Sequence, residues 1–134
     1  MTYTISDLSR MFQLSTSTLR YYEKIGLLEN VVHENAYRRI YNDSHVDRLS
    51  AIECFKKALL PLDEIKVFFA YEKDMVSNSE KILDMLKVQE IKTQENIQNL
   101  EAGLNHLQKK IRYYNLINEA VQNNTALPKW DDIV

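Results

Sequence analysis

The sequence predicts a mainly α-helical protein with one small β-hairpin and one long helix near its end. Only two glycines and two prolines occur among 134 residues, whereas hairpin-rich all-β folds need glycine at their turns. Residues 77–123 contain no proline and a single glycine. Hydrophobic residues make up 45% and charged residues 27% of the chain, a composition that favours a packed core over disorder.

Two short helices are predicted at the start of the chain. Ser6 can cap a helix that runs to Phe12, because serine accepts hydrogen bonds from free N–H groups at a helix start. Ser15 can cap a second helix over 16–24, and Gly26 follows where a helix-ending glycine is common. Two short helices joined by a tight connection are typical of a helix-turn-helix.

A hairpin and two further helices are predicted next. The period-2 pattern indicates two short strands joined by a turn at His33–Ala36. Ser44 then opens a third helix over 45–58, and Pro61 fits the start of a fourth helix that ends near Glu72. A helix-turn-helix followed by a hairpin is a winged helix, so residues 1–72 are predicted to form one such domain.

The long helix over 77–123 is predicted to dimerise. Ser77 and Glu80 form a capping-box pattern, and residues 124–134 would form a C-terminal tail. From Ile97 onward, apolar residues recur in alternating steps of three and four, with Asn118 as the one polar interruption, as in a coiled coil. Extended backwards, the same register passes through Glu90 and Thr93. The predicted dimerisation residues are Ile97, Leu100, Leu104, Leu107, Ile111 and Tyr114. A helix this long needs a partner helix, most simply from a second copy of the chain.

A candidate DNA-binding face lies on the second helix. Hydroxyl, guanidinium and phenol groups on one exposed face suit phosphates and base edges. The residues concerned are Ser17, Thr18, Arg20, Tyr21 and Lys24. An ordinary solvated helix face is the alternative interpretation.

A second candidate DNA-binding segment is the hairpin, where arginines alternate with aromatic residues. Its residues are Tyr37, Arg38, Arg39 and Tyr41, and Lys56 and Lys57 form a third basic spot. The net charge of −2 does not favour DNA, so these cations would have to converge locally. The alternative is a hairpin whose exposed edge is protected from aggregation by charge.

Residues 1–72 resemble the MerR family of bacterial transcription regulators. The resemblance is carried by Leu19–Glu23, Gly26–Leu28, Asn35, Tyr37, Arg38, Tyr41, Arg48–Leu49 and Leu62–Ile65. It implies a winged-helix dimer, antiparallel along the long helix, that binds a palindromic promoter site in double-stranded DNA. It further implies an activator of a stress or detoxification operon that bends the promoter and so acts indirectly on RNA polymerase.

The sequence departs from the family pattern at the wing turn and at the junction of the third and fourth helices. Ala36 and Leu59 stand where the family usually has glycine, and Pro61 where it usually has serine or threonine. Because a leucine in the left-handed region is costly, the junction is expected to take a different shape.

Cys54 is the remaining candidate. A lone cysteine in the third helix resembles the subgroup that responds to aldehydes and nitrosative stress, which implies a small electrophile as inducer. The alternative is a small buried hydrophobic residue. With a single cysteine and scattered histidines such as His45, predicted to lie at the surface, we expect no metal and no cofactor.

No catalytic constellation is evident, so the protein is not expected to be an enzyme. No run of 18 apolar residues occurs, and neither a membrane span nor a secretory signal is expected, which predicts a cytoplasmic location. A rival interpretation is an adaptor whose helix-turn-helix binds another protein and whose coiled coil provides recognition.

Overall fold

The computed structural model describes all residues, 1–134, and confirms a mainly helical fold with a winged helix-turn-helix and a long helix. Two compact units are present, Met1–Glu90 and Ile91–Val134. The elements are β1 (Thr2–Tyr3), α1 (Ile5–Phe12), α2 (Thr16–Lys24), β2 (Val32–Asn35), β3 (Arg38–Asn42), α3 (Asp43–Lys57), α4 (Leu62–Glu72) and α5 (Ser79–Asn123), followed by a 3₁₀ turn at Trp130–Asp132.

The start of α2 agrees with the sequence prediction, whereas the starts of α1 and α3 differ from it. The Ser15 side chain accepts a hydrogen bond from the Thr18 N–H and caps α2. For α1 the cap is Thr4, which exchanges hydrogen bonds with Asp7, so the prediction of Ser6 was wrong. Reciprocal bonding satisfies two free N–H groups, which a serine inside the first turn cannot do.

α3 begins at Asp43 because Asn42 is its cap. The Asn42 side chain accepts from the Ser44 and His45 N–H groups, and His45 Nδ1 accepts from the Asn42 N–H at 3.0 Å. The opposite ring nitrogen of His45 lies 2.7 Å from the Glu29 carbonyl oxygen. The predictions of Ser44 as the cap and of His45 as a surface residue were therefore wrong, since His45 is buried.

The wing is a three-stranded antiparallel sheet in the order β1-β3-β2, one strand more than the predicted hairpin. Thr2 lies opposite Asn42, and His33 lies opposite Arg39. The turn is at Ala36–Tyr37, so the prediction of His33–Ala36 was wrong. The Asn35 side chain accepts from the Tyr37 N–H at 2.9 Å, an asparagine turn that needs no glycine.

The same backbone device ends α2 and α3. Beyond α2, Gly26 has φ +83°, and beyond α3, Leu59 has φ +66°. After α3, the Leu60 N–H donates to the Phe55 carbonyl and the Leu59 N–H to the Lys56 carbonyl, which is the Schellman pattern. The expectation that Leu59 would avoid the left-handed region was therefore wrong. Its side chain is exposed, so only the backbone strain opposes this conformation.

The core of the first unit is formed mainly by α1, α2, β3, α3 and α4. The fully buried side chains include Leu8, Leu19, Tyr22, Leu27, Tyr41, Leu49, Ile52 and Ile65. The first turns of α5 join this unit, since the Gln89 side-chain amide donates to the Ala58 carbonyl at 2.9 Å. The capping box predicted at Ser77 is absent, because the only hydrogen bond of Ser77 runs from its N–H to Asp74.

The second unit consists of the rest of α5 and the tail that folds back on it. The Trp130 ring contacts the rings of His106 and Tyr113, with centroids 5.8 and 5.4 Å apart. The ammonium groups of Lys109 and Lys110 both lie 4.4 Å from the Trp130 ring centroid. Cation–π and edge contacts of this kind anchor the tail to α5.

No helix combines the length and apolar character needed to cross a membrane. No group of three or more His, Cys, Asp or Glu side chains is arranged to hold a metal ion.

Candidate nucleic-acid interface

The exposed face of α2 carries four of its five predicted DNA-binding side chains. Ser17, Arg20, Tyr21 and Lys24 are exposed, and their spacing of three and four residues puts them on one side of the helix. Thr18 is half-buried. This face is held in place from behind, because Leu19 and Tyr22 on the opposite side are fully buried.

The Ser15 hydroxyl organises the start of this face. It lies 2.9 Å from the Ser17 hydroxyl and 2.8 Å from the Thr18 hydroxyl. Three clustered hydroxyls at a helix N-terminus, where N–H groups are free, provide donors for a phosphate oxygen.

The wing presents two of its four predicted residues to solvent. Tyr37 at the turn is 93% exposed. Arg38 is exposed and pairs with Glu34 at 3.1 Å, an ion pair on an open surface that a phosphate can replace at little cost.

Tyr41 does not lie in the interface, which corrects the prediction. Its side chain is fully buried at 0% exposure, and its hydroxyl has no hydrogen-bond partner in the protein. Burial raises its pKa. The side chain packs in the core beside His45, with ring centroids 5.5 Å apart, so it cannot reach DNA.

Arg39 faces the protein and links the wing to α2. Its Nε donates to Glu23 Oε2 at 2.7 Å, and both side chains are only 20% exposed. His33 of β2 pairs with the other Glu23 oxygen. Burial raises the pKa of Glu23, but the hydrogen bonds from Arg39 and His33 outweigh that effect, so the pKa lies below its ordinary value.

Sequence reasoning missed this role of Glu23 and His33. Glu23 lies within Leu19–Glu23, a segment that resembles the MerR family, and this resemblance was the only sequence signal that Glu23 has a role. Nothing in the spacing of His33 indicated that it would join the same carboxylate.

The two lysines of α3 differ. Lys56 donates to the Tyr22 hydroxyl at 2.9 Å, and this bond raises the pKa of Lys56. It also lies 3.4 Å from Glu53. Lys57 is exposed. Lys56 therefore braces α2 against α3, while Lys57 is available to a ligand.

Cys54 is exposed on α3. Its neighbours one turn away, Ser50 and Lys57, are exposed as well. The alternative of a buried hydrophobic residue was therefore wrong, and the thiol is open to solvent.

A helix-turn-helix whose second helix shows a polar face, with a basic wing beside it, defines a winged-helix DNA-binding protein. The sequence model described as "MerR HTH family regulatory protein" matches residues 3–72, just over half of the chain. The chain belongs to the MerR family of transcription regulators, whose members are not enzymes.

Three relatives illustrate the similarity. An uncharacterised HTH-type transcriptional regulator of Haemophilus influenzae is 37% identical over 68 residues, which cover 51% of this chain and 50% of that protein. The crystal structure of HiNmlR, a MerR family regulator lacking the sensor domain, bound to promoter DNA, is 28% identical. It superposes with a TM-score of 0.78 over 93% of this chain and 92% of that one.

The third relative is a MerR family regulator from Bacillus thuringiensis. Its structure is 32% identical, with a TM-score of 0.71 over 84% of this chain and 98% of that one. The chain spans about half the length of the first curated relatives that it matches.

Proposed function

We propose that the protein is a homodimeric regulator that binds a palindromic promoter site. One observation carries the proposal, namely the polar face of α2 beside a wing whose exposed residues are an aromatic and an arginine. Arg20 and Tyr21 would read the major groove or its phosphates, and Tyr37 and Arg38 would hold the backbone beside it.

The dimer would form along α5. The six seam residues Ile97, Leu100, Leu104, Leu107, Ile111 and Tyr114 are 50–73% exposed. Fully burying such a side chain is worth about 1.5–3 kcal/mol, so twelve half-exposed side chains contribute about 9–18 kcal/mol. Association itself costs about 4–15 kcal/mol, so the midpoints of the two ranges leave a favourable balance of about 4 kcal/mol for pairing.

The dimer would activate transcription by distorting the promoter. Two winged helices held at a fixed separation can bend and untwist the DNA between them, and bending depends on how deformable that sequence is. Distortion would realign two polymerase elements whose spacing is too long, so the protein would act on RNA polymerase through the DNA. The expected targets are stress or detoxification genes.

The test is salt-dependent binding to promoter DNA, measured by fluorescence anisotropy. Arg38→Ala should weaken all sequences about equally and reduce the salt slope by about one for each protomer that loses a phosphate contact. The matched control is Arg112→Ala, an exposed arginine of α5 away from the seam, which should change neither quantity. A wild-type slope near zero would remove the DNA-binding proposal and favour the adaptor interpretation.

Cys54 is the proposed sensor of a small electrophile. Its exposed thiol would add to the carbonyl carbon of an aldehyde, forming a C–S bond while the carbonyl oxygen takes up a proton. Only the thiolate is the nucleophile. The adduct would sit beside Lys57 and close to Lys56, which holds α2 through Tyr22.

The sensor is tested with Cys54→Ser and Cys54→Ala in a reporter strain treated with formaldehyde. Both variants should bind the promoter as wild type does and fail to respond. A normal response in both would assign the sensor to another part of the chain. Release from DNA on treatment, rather than activation, would contradict the distortion mechanism.

A further inference from the structure

The seam residues of α5 have a self-complementary order. Along the chain they are separated by three, four, three, four and three residues, which reads the same in both directions. In an antiparallel pair with its two-fold axis midway between Leu104 and Leu107, Leu104 meets Leu107, Leu100 meets Ile111 and Ile97 meets Tyr114. Every seam residue then faces another seam residue.

The next step outward from the axis brings two polar residues together. Thr93 lies four residues before Ile97 and Asn118 lies four residues after Tyr114. These are the polar interruptions that flank the stripe on either side. In this register each Thr93 faces Asn118 of the second copy, and the pair occurs twice because of the two-fold symmetry.

We infer that Thr93 and Asn118 set the register of the dimer. This inference rests on the proposed dimer and adds its alignment. A slip of one heptad in either direction puts the Asn118 amide opposite Leu86 or Leu100. A polar group buried against an apolar side chain loses water without gaining a hydrogen bond, and single polar residues of this kind fix coiled-coil register.

The opposite face of α5 is already occupied. His106, Tyr113 and Ala120 lie roughly 180° around the helix from Leu104, Ile111 and Asn118, at 3.6 residues per turn. Trp130 packs on His106 and Tyr113, and Ala120 is buried. The tail therefore leaves the apolar stripe as the open face for pairing.

The stripe is large enough for a second copy. The free energy of burying one such side chain implies an apolar area of about 60–120 Å² per side chain. Six side chains that are each exposed by half or more therefore offer roughly 350 Å² per chain. A standard interface buries roughly 800 Å² per partner, of which about 450 Å² is apolar. The six seam residues supply most of that apolar area, and their flanking neighbours can supply the rest.

Register matters because it sets the separation of the two DNA-binding halves. A slip of seven residues moves one chain by about 10.5 Å along the other. That distance equals about three base pairs at 3.4 Å per step along a strand. A locked register would therefore select one spacing between operator half-sites.

Cysteine pairs placed in a Cys54→Ser background test the register. Ile97 and Tyr114 face each other in the proposed register and are 17 residues apart in the sequence. That is about 26 Å along one helix, so a disulfide between them must join two chains. The double variant Ile97→Cys, Tyr114→Cys leaves Thr93 and Asn118 in place and should form a covalent dimer on mild oxidation. The matched controls are Ile97→Cys with Leu107→Cys and Leu104→Cys with Tyr114→Cys, which report the two slipped registers. We expect a roughly tenfold excess of covalent dimer from the first pair over either control.

The outcomes separate register from dimerisation, because sedimentation of the same reduced proteins reports the dimer. The proposed register is wrong if a control pair or a single cysteine gives as much covalent dimer as the first pair. It is also wrong if no pair cross-links although sedimentation finds a dimer. A monomer by sedimentation overturns the proposed dimer as well. In a further variant, Asn118→Leu should keep the dimer and increase cross-linking of the Ile97→Cys, Leu107→Cys pair several-fold; no increase would contradict the locking role.

Discussion

Replacing Glu23 by glutamine should loosen the wing from α2 and destabilise the fold by about 1–2 kcal/mol. Glu23 binds Arg39 at 2.7 Å and also pairs with His33, and both side chains of the Glu23–Arg39 pair are 20% exposed. Exposed ion pairs contribute about 0–1 kcal/mol, whereas breaking a fully buried pair costs about 3–5 kcal/mol. A pair of intermediate exposure falls between these values, and glutamine keeps the shape while removing the charge.

The same substitution should reduce the acid sensitivity of the protein. The folded-state pKa of Glu23 is lowered from an ordinary value of 4.5, so the unfolded chain binds the proton more tightly. Its contribution to stability is therefore fully present above about pH 4.5 and is lost as the pH falls through the folded-state pKa. As the pH falls below about 4.5, the difference in the free energy of unfolding between wild type and Glu23→Gln should narrow.

Urea unfolding followed by circular dichroism at about pH 7 and about pH 4 measures both effects. Protein concentration must be held constant because dimerisation contributes to stability. The control is Glu34→Gln, whose partner Arg38 lies on the exposed side of the same hairpin, and it should change stability by less than about 0.5 kcal/mol. Equal losses in both variants, or a Glu23→Gln loss that is independent of pH, would refute the reasoning.

Three further substitutions test the core, the junction and the seam. Leu59→Gly should raise stability by about 0.5–1 kcal/mol in thermal unfolding, because it relieves a left-handed leucine, while Leu59→Ala should not. Tyr41→Phe removes an unpartnered buried hydroxyl, so the free energy of unfolding should stay equal or rise by up to about 1 kcal/mol. A clear loss of stability would indicate that the hydroxyl binds a buried water. The double change Leu104→Asp, Leu107→Asp should yield monomers or unfolded chain, and an unchanged dimer by sedimentation would mean that the seam is misplaced.

Strong local signals in the sequence predicted most of the architecture. The α2 bounds, the Ser15 cap and the ending glycine Gly26 were all correct, because each depends on residues within one turn of the helix. The turn after Asn35 could not be predicted in detail, since an asparagine side chain and a glycine offer two chemical routes to the same chain reversal.

Helix starts were harder because neighbouring residues compete for the capping position. Thr4 and Ser6 can both cap a helix, but only Thr4 has an acid three residues later, in Asp7, that can bond back. For α3 the successful pair is Asn42 with His45. Histidine is an unusual partner in a capping box, where glutamate or glutamine is typical. Ser44 with an acid three residues later is closer to the usual pattern, so the sequence favoured Ser44 as the cap.

The alternation of strand β3 divides the residues that were predicted to bind DNA. Side chains two residues apart in a strand point to the same face, so Arg39 shares the inner face with buried Tyr41, while Arg38 points outward. Arg39 is already paired with Glu23, and Lys56 is paired with Glu53. A basic residue held by a partly buried carboxylate of its own chain releases few counterions when DNA binds, whereas the Arg38–Glu34 pair lies on an open surface where a phosphate can replace the carboxylate.

The cations open to phosphate are therefore fewer than the sequence suggested. Arg20, Lys24, Arg38 and Lys57 are exposed, which gives eight per dimer, and the salt slope should be about −7 if each reaches one phosphate. Counting Arg39 and Lys56 as well would give about −11. Anisotropy titrations at several salt concentrations distinguish these values, and the steeper slope would mean that DNA displaces Glu23 and opens the contact between α2 and the wing.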